Sequence, residues 1–241
     1  MIENYKKLSD GIAIKGSMSQ QVRAIQLFGN RCSGTNYIDR LISINFKSNI
    51  MTYGYGHKHF IVPQERVFGQ DILTLVVRRN VYDWIGSLYK NPWHLSDEVK
   101  SLSFSQFIRE PWHSYYDECF FEKDHPWFNK EMMIERHPIT NERFPNPFVM
   151  RNYKLNNWLG LNNNLPCVLY VNYDWIIKNK KSFIEILSSI INMPCNNNFK
   201  DILSYKGNNK KKFVKKQYAD KINKSDLIFI ESQLDNSLER F

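Results

Sequence analysis

Four stretches of the chain carry the apolar runs that are typical of strands in a covered sheet. They are residues 23–28, 49–53, 71–77 and 166–173. The run at 71–77 reads DILTLVV and is apolar and β-branched almost throughout, as expected for a parallel strand buried on both faces. These runs predict a central sheet whose strands are mostly parallel.

Between the strands, apolar residues recur at the spacing of helices. Two predicted helices, at residues 35–43 and 82–89, follow the first and third strands. Three more are predicted at residues 148–159, 181–191 and 225–238, with Ser225 as the N-cap of the last. This alternation predicts an α/β fold with three layers. Residues 1–22 are polar and are predicted to be a surface lead-in. Because we find no internal repeat and no Gly/Ser linker, residues 1–241 are predicted to form one domain.

Residues 91–150 interrupt the alternation of strands and helices. Prolines, tryptophans and histidines are interleaved there with short helical stretches such as residues 103–108. Long irregular insertions of this kind commonly form lids or binding walls, although an insertion packed only for stability stays an alternative. We interpret residues 91–150 as an aromatic-rich insertion within the single domain.

The formal net charge of +9 is unevenly placed along the chain. Between residues 200 and 224 there are nine lysines against two aspartates. Such a region suits nucleic acid or one polyanionic small ligand, and it also suits a solvated surface that binds nothing. The charge alone leaves these three interpretations open.

The four cysteines, Cys32, Cys119, Cys167 and Cys195, lie far apart and form no C-x-x-C pair. They therefore suggest neither a zinc site nor a disulfide framework, and we expect no metal. Reduced thiols fit an intracellular protein. The first residues lack the apolar core of a signal peptide, and the longest aliphatic runs are too short to cross a bilayer. We expect a cytoplasmic protein.

The segment from the first strand into the first helix has the pattern of an anion-binding loop. Gly29 and Gly34 have the spacing G-x-x-x-x-G, which lets a backbone approach an oxyanion, and the amides at a helix start point at one spot. Thr35 and Asn36 follow where a nucleotide hydrolase or kinase has lysine and then serine or threonine. The loop thus predicts an anion site without the usual lysine, with a plain strand–turn–helix connection as the alternative.

Arginines stand at the end of the third predicted strand. Arg78 and Arg79 follow the run at 71–77, where a magnesium-dependent P-loop enzyme typically has an aspartate. In parallel sheets, ligands bind outside the carboxyl ends of the strands. We therefore expect the arginine pair and the glycine loop to face the same crevice.

Two motifs resemble those of sulfotransferases that use 3′-phosphoadenosine 5′-phosphosulfate (PAPS). The loop 29–35, GNRCSGT, resembles their 5′-phosphosulfate loop, and Arg79 with Ser87 resembles their 3′-phosphate motif. The segment 171–175, VNYDW, resembles a later strand-end motif, and Lys206 with Gly207 resembles the basic loop over the cofactor. The chain departs from the family in having Cys32 directly before Ser-Gly-Thr, with Arg31 one place earlier.

The resemblance implies a P-loop-like fold and PAPS as the donor, with PAP (3′-phosphoadenosine 5′-phosphate) as its product. It assigns the phosphosulfate end to the loop and the 3′-phosphate to Arg79 and Ser87. The implied donor-binding residues are Arg31, Cys32, Ser33, Gly34, Thr35, Asn36, Arg79, Ser87, Tyr173, Lys206 and Gly207.

Transfer of a sulfuryl group to a hydroxyl requires a base and a cation. We choose His59 as the base, Lys58 as the cation over the transferring group, and Arg31 as a second candidate to reach the sulfonate. His94 and Glu65 are alternative bases, and a histidine used only for packing is the alternative role for His59. We expect a small-molecule or glycan acceptor, with a carbohydrate hydroxyl as the first choice, to lie against the insertion.

Other functions remain possible from the sequence. A P-loop kinase would share the glycine loop, and a non-enzymatic module for nucleic acid or another polyanion would share the lysines. Against a kinase, the chain lacks the lysine and the magnesium-binding carboxylate that a P-loop kinase usually has. The polyanion module leaves the two anion motifs unexplained, so we do not expect nucleic acid as a partner.

Overall fold

The structure is a computed structural model that describes residues 4–18, 20–46, 50–160, 165–205, 208–212, 214 and 217–239. Its strands are β1 (Lys6–Ser9), β2 (Ile12–Gly16), β3 (Ala24–Gly29), β4 (Met51–Thr52), β5 (Ile72–Arg78), β6 (Cys167–Asn172), β7 (Ser204–Tyr205) and β8 (Asn208–Lys212). Its α-helices are α1 (Thr35–Asn45), α2 (Val81–Lys90), α3 (Asp97–Ser101), α4 (Phe104–Phe107), α5 (Pro147–Trp158), α6 (Tyr173–Lys178), α7 (Lys180–Ile191), α8 (Lys224–Gln233) and α9 (Asn236–Glu239). Two short 3₁₀ turns lie at Met133–Glu135 and Ala219–Lys221.

Six of the strands form one sheet in the order β1-β2-β6-β5-β3-β4. The pairs β6–β5, β5–β3 and β3–β4 are parallel, whereas β1–β2 and β2–β6 are antiparallel. The predicted α/β fold with a mostly parallel central sheet is therefore confirmed. Because β4 and β5 lie on opposite sides of β3, the chain reverses direction across the sheet at β3, which is where such folds bind ligands.

Alternate residues of each central strand point to opposite faces, and both faces are covered by helices. Leu27 and Leu75 pack with residues of α1 and α7 on one face. Phe28 and Val76 pack with residues of α5 and α9 on the other. This double burial explains why the strands read as continuous apolar runs, and it confirms the three layers.

The expected surface lead-in at residues 1–22 is wrong for its described part. β1 and β2 form a hairpin whose second strand adds to the edge of the sheet at β6, with Ile12 paired to Val171. Ile12 and Ala13 are buried, one on each face of the sheet. A five-residue strand with two buried residues is too short a pattern to reveal that β2 belongs to the sheet.

The start of the helix predicted at residues 225–238 is also wrong. α8 begins at Lys224, and its N-cap is Asn223, whose side chain accepts a hydrogen bond from the Asp226 backbone N–H at 2.9 Å. Ser225 lies inside the first turn, and the segment is divided into α8 and α9. Both residues are of capping types, so the sequence did not distinguish them.

The insertion at residues 91–150 contains α3, α4, one 3₁₀ turn and the first residues of α5, joined by irregular chain. Its apolar residues pack with α2, α5 and α8 in a separate core cluster. The insertion therefore has its own contacts and stands beside the carboxyl end of β5. Within the described ranges, no helix has the length and apolar character needed to cross a membrane.

Candidate functional site

An open cleft of about 520 Å³ lies at the carboxyl ends of β3, β5 and β6. Its lining residues are Arg31, Cys32, Gly34, Thr35, Asn36, Tyr37, Arg40, His57, Lys58, His59, Arg79, Asn91, Trp93, His94, Cys119, Tyr173, Ile202 and Ser204. Four of these described residues are arginine or lysine, and none is aspartate or glutamate. A lining of this kind favours an anionic ligand.

The register of the sheet brings the predicted motifs to one edge. Gly29 at the end of β3 pairs with Val77, and Arg78 at the end of β5 pairs with Asn172 at the end of β6. Arg79 and Tyr173 are the next residues along their chains, so both arrive at the glycine loop. The expectation that the arginine pair and the glycine loop face the same crevice holds for Arg79, which lines the cleft. It is wrong for Arg78, which does not line the cleft and whose Nη1 lies 2.9 Å from Glu239 Oε2.

The loop between β3 and α1 is tightly wound. The backbone N–H and the hydroxyl of Ser33 both donate to the carbonyl of Asn30, and the indole N–H of Trp84 donates to the carbonyl of Arg31 at 2.8 Å. Cys32 has a positive φ of 64°. The predicted role of the Ser33 hydroxyl in donor binding finds no support here, because Ser33 is buried and does not line the cleft.

Gly34 is the residue at which this loop becomes α1. It is the N-cap of α1 with φ 92°, and a Cβ at this position would lie 2.2 Å from the ring of Tyr173. Both the backbone angle and the ring therefore require glycine. Since glycine has no side chain to accept from the first turn of α1, the amides of Thr35 and Asn36 are left for an anion, while that of Tyr37 donates to the carbonyl of Gly34 at 3.0 Å.

Arg79 connects the loop to the neighbouring strands. Its Nη1 donates to the carbonyl of Cys32 at 3.0 Å, and its guanidinium lies over the ring of Tyr173, 5.5 Å from the ring centroid. Ser87, which lies in α2, hydrogen-bonds the thiol of Cys32. Burial raises the pKa of this thiol to about 11, so the thiol is neutral. Arg79 and Ser87 thus meet at Cys32, although Ser87 itself does not line the cleft.

The segment 57–59 lies against the end of β3. The N–H of Gly29 donates to the carbonyl of Lys58 at 3.0 Å, and the Lys58 ammonium donates to Asn36 Oδ1 at 2.6 Å. These contacts hold Lys58 beside the first turn of α1.

His59 is fixed in one tautomer by the same strand end. Its Nδ1 lies 2.6 Å from the carbonyl oxygen of Gly29, and because a carbonyl only accepts, Nδ1 carries the proton and Nε2 keeps a lone pair. Burial, followed by the charges of Arg31 and Lys58, lowers the pKa of His59 well below its usual value. Burial and Lys58 likewise lower the pKa of His57 to about 4. His59 is therefore a neutral imidazole with a proton-accepting nitrogen in a cationic cleft.

Arg31 is held under the cleft by an ion-pair cluster that the sequence did not reveal. Its Nη2 lies 2.8 Å from Glu135 Oε2, and the other oxygen of Glu135 accepts from Lys154. The Arg31, Glu135 and Lys154 side chains are all at most 6% exposed. Arg31 and Lys154 hold the pKa of Glu135 well below its usual range despite its burial, which acts in the opposite direction. The cluster carries one net positive charge beneath the cleft.

This cluster changes the expected role of Arg31. Its Nη1 is buried and has no hydrogen-bond partner among the described residues, and its guanidinium lies over the Trp112 ring at 5.8 Å. The expectation that Arg31 reaches a sulfonate finds no support in this arrangement, because its terminal nitrogens are engaged or buried. Its charge nevertheless lowers the pKa values of His57, His59 and His94.

The insertion supplies the other wall of the cleft. Asn91, Trp93, His94 and Cys119 line it, as expected for residues 91–150. His94 Nδ1 lies 2.7 Å from Asp117 Oδ2, and burial and the charge of Arg31 lower the pKa of His94. Of the two alternative bases, His94 lines the cleft, whereas Glu65 is exposed and does not.

Two further outcomes concern the late part of the chain. Lys206 and Gly207 lie outside the described residues, although Ile202 and Ser204, shortly before them, line the cleft. Arg40 was not anticipated. It lines the cleft and donates to the carbonyl of Ser204 at 2.8 Å. In the sequence, only its position one helical turn after Asn36 indicated that it could lie near the site.

Comparisons with known proteins add no assignment to this geometry. No protein-family model matches the chain, and a search of curated proteins finds no match.

Proposed function

We propose that the protein is a sulfotransferase that moves a sulfuryl group from PAPS to an acceptor hydroxyl. The observation that carries this proposal is one cleft in which the glycine loop, Lys58 and Arg79 meet and which no described carboxylate lines. PAPS has anionic groups at two ends of one nucleoside, so its site needs two anion-binding positions. The amides of the first turn of α1 supply one, and the guanidinium of Arg79 supplies the other.

The cleft has the space that such a donor requires. Its volume of about 520 Å³ is within the range of small-molecule sites, which is roughly 300–1,000 Å³. At Gly34 the missing Cβ lets the ring of Tyr173 pack directly against the loop, which closes this end of the cleft. Lys58, held by Asn36, stands at the same end. When bound there, PAPS supplies the electrophilic sulfur of the reaction.

His59 and Lys58 have complementary roles in the proposed transfer. His59 Nε2 accepts the proton of the acceptor hydroxyl while the acceptor oxygen bonds to sulfur and the bond from sulfur to the leaving phosphate oxygen breaks. Lys58 neutralises the charge that develops on the leaving side. A positioned base of this kind is typically worth about 10²–10⁴-fold in rate, and the rest depends on holding the three atoms in line.

A phosphoryl-transferring enzyme is the second possibility, and the cleft supports it less well. The loop has Thr35 and Asn36 in place of the lysine and the magnesium-binding hydroxyl. Asp174 follows the neighbouring strand β6, yet its carboxylate accepts from the N–H of Asn80 at 2.8 Å and does not line the cleft.

Calorimetric titration with PAP tests the donor site. We expect binding by the wild type and a loss of about tenfold or more in Arg79→Lys, which keeps the charge but not the planar fork. Lys58→Met is expected to weaken binding as well, whereas Lys100→Met, at an exposed lysine outside the cleft, leaves it unchanged. Absence of PAP binding by the wild type would refute the proposal, and ATP turnover that requires magnesium would favour the kinase.

Transfer itself is tested with sulfate-labelled PAPS and a panel of glycans, lipids and phenols. We propose a carbohydrate hydroxyl as the acceptor and expect His59→Asn to retain PAP binding while losing transfer. PAP binding without transfer to any acceptor would instead indicate a non-enzymatic binding module. We also propose a cytoplasmic location, since all four cysteines are free thiols.

A further inference from the structure

The insertion wall of the cleft carries an exposed tryptophan beside a fixed histidine. Trp93 is 56% exposed, whereas Trp84, Trp112 and Trp158 are at most 3% exposed. Because Trp93 also lines the cleft, its ring is available to a ligand. An aromatic face of this kind packs on flat apolar surfaces, including the C–H faces of sugar rings.

His94 is held in place from several sides. Its backbone has a positive φ of 65°, and its carbonyl accepts from the N–H of Tyr115 at 2.7 Å. Residues other than glycine in this conformation are costly and concentrate at functional sites. The ring of Phe120 packs on the imidazole with centroids 4.8 Å apart. These contacts leave the imidazole one position and one orientation.

Asp117 selects which nitrogen of His94 is free to accept. Its Oδ2 lies 2.7 Å from His94 Nδ1, while its Oδ1 accepts from the N–H of Cys119 at 3.1 Å. A carboxylate only accepts, so Nδ1 of the neutral imidazole is the donor and Nε2 retains a lone pair. Nε2 can therefore accept a hydrogen bond from a hydroxyl.

The charge of this wall differs from that of the donor end. The cations that line the cleft are Arg31, Arg40, Lys58 and Arg79, whereas the lining residues of the insertion are Asn91, Trp93, His94 and Cys119. The two parts adjoin, because the Cys32 thiol lies 3.8 Å from the carbonyl of Asn91. A neutral ligand on the insertion wall would thus lie next to an anionic donor at the loop.

We propose that Trp93 and His94 form an acceptor subsite for a neutral carbohydrate. The ring of Trp93 stacks on a sugar, His94 Nε2 accepts a hydrogen bond from one of its hydroxyls, and Asp117 is the positioning residue behind His94. This inference rests on the proposed function only in placing the reacting hydroxyl beside the donor.

The same cluster has a second interpretation, as a metal site. Ligand atoms of His94, Asp117 and Cys119 lie within 4.8 Å of one another. The surroundings favour the sugar instead, because His94 Nδ1 and Asp117 Oδ2 already hydrogen-bond each other at 2.7 Å, and four cations but no described carboxylate line the cleft. A divalent cation would be repelled by these charges.

Saccharide binding without donor tests the subsite. The probes are neutral trisaccharides (maltotriose, cellotriose and triacetylchitotriose), with p-nitrophenol as a phenol, followed by saturation-transfer NMR and calorimetry. We expect at least one trisaccharide to bind, with affinity about tenfold lower in Trp93→Ala. Trp127→Ala is the matched control, since Trp127 is equally exposed at 56% but lies outside the cleft, and it should change nothing.

Deoxy derivatives of the bound saccharide test the hydrogen bond to His94. In the wild type, removal of one hydroxyl should weaken binding by up to about tenfold. In His94→Ala the same removal should have no further effect, and Asp117→Asn should reduce the difference between the two ligands. A purely structural role of either residue would weaken both ligands equally and would overturn the assignment.

Cys119→Ser separates the sugar from the metal. We expect cobalt(II) to give no thiolate charge-transfer absorption with the wild type. Cobalt binding that is lost in Cys119→Ser, failure of every trisaccharide to bind, or equal losses in Trp93→Ala and Trp127→Ala would overturn the proposal. Saccharide binding without PAP binding would refute the sulfotransferase while leaving the subsite intact.

Discussion

Replacing Glu135 by glutamine removes the only anion of the buried cluster under the cleft and leaves two buried cations, Arg31 and Lys154, without their carboxylate. Removing one partner of a buried ion pair typically costs about 3–5 kcal/mol, because the remaining charge cannot be solvated. Glutamine has nearly the same shape as glutamate, so the loss does not come from a cavity. Against a typical total of about 5–15 kcal/mol, this variant loses a large part of its free energy of unfolding.

Lys154→Met is the informative counterpart. Glu135 then keeps its contacts with Arg31 and with the hydroxyl of Ser114, and the net charge of the cluster falls from +1 to zero. We expect a change of about 1 kcal/mol or less, of either sign. The double variant Glu135→Gln/Lys154→Met should be less destabilised than Glu135→Gln alone, since only one cation remains unpaired.

Urea denaturation at pH 7, followed by circular dichroism, measures all three variants. Equal losses in Lys154→Met and Glu135→Gln would contradict the argument, because they would show that packing and not charge balance sets the cost. Additive effects in the double variant would contradict it as well. The single variant Lys154→Met should also weaken PAP binding slightly at low salt, as one positive charge beneath the site is lost.

Three further predictions follow from local geometry. Gly34→Ala should weaken PAP binding far more than Gly56→Ala in calorimetry. Both residues have positive φ (92° and 134°), but only a Cβ at Gly34 would meet other atoms, namely the ring of Tyr173 at 2.2 Å. Equal effects of the two substitutions would point to backbone strain alone. Asn223→Ala should lower the free energy of unfolding by about 1 kcal/mol in denaturant titrations, because it removes the N-cap of α8. Ser225→Ala should change it by less than about 0.5 kcal/mol. A larger loss in Ser225→Ala than in Asn223→Ala would contradict the capping assignment. Because the pKa of His59 is lowered, kcat/KM for transfer should stay constant as the pH falls through 6.5. It should decline only at lower pH, where the base becomes protonated. A midpoint of the decline at pH 6.5 would show that the pKa of the base is unperturbed.

The lowered pKa of His59 also affects stability, and the sign can be given. Well above pH 6.5 the imidazole is neutral in both the folded and the unfolded chain, so it contributes no pH dependence there. As the pH falls below 6.5, the unfolded chain takes up a proton first, and the folded state loses stability. A His59→Asn variant should show a smaller loss between neutral and mildly acidic pH in thermal unfolding, and an unchanged pH dependence would count against burial of the imidazole.

The central part of the fold could be predicted from the sequence because local patterns determine it. β3, β5 and β6 are buried on both faces and read as continuous apolar runs, and α7 has a regular apolar stripe. The hairpin of β1 and β2 was missed because β1 has no buried residue and β2 has only two, so neither strand shows such a pattern. Its partner β6 lies far along the chain, so no local feature could indicate the pairing.

The same distinction applies to the site, where residues in short motifs could be predicted and their distant partners could not. The loop at Gly34 and the position of Arg79 follow from short motifs at strand ends, where parallel topology brings them together. The partners of Arg31 and His94 come from distant or irregular segments, so their pairing with Glu135 and Asp117 was not predictable. One signal was present for the cluster: Lys154 occupies a buried position of α5, where a cation is rarely found without a partner.

The antiparallel docking of β2 on β6 has a consequence for the order of folding during synthesis. Gly16 pairs with Cys167, so about 150 residues separate the two strands. At a translation rate of roughly 5–20 residues per second, the hairpin emerges from the ribosome many seconds before its partner strand exists. Until then its open edge is available to other polypeptides, and we expect chaperones or neighbouring nascent chains to compete for it during that interval.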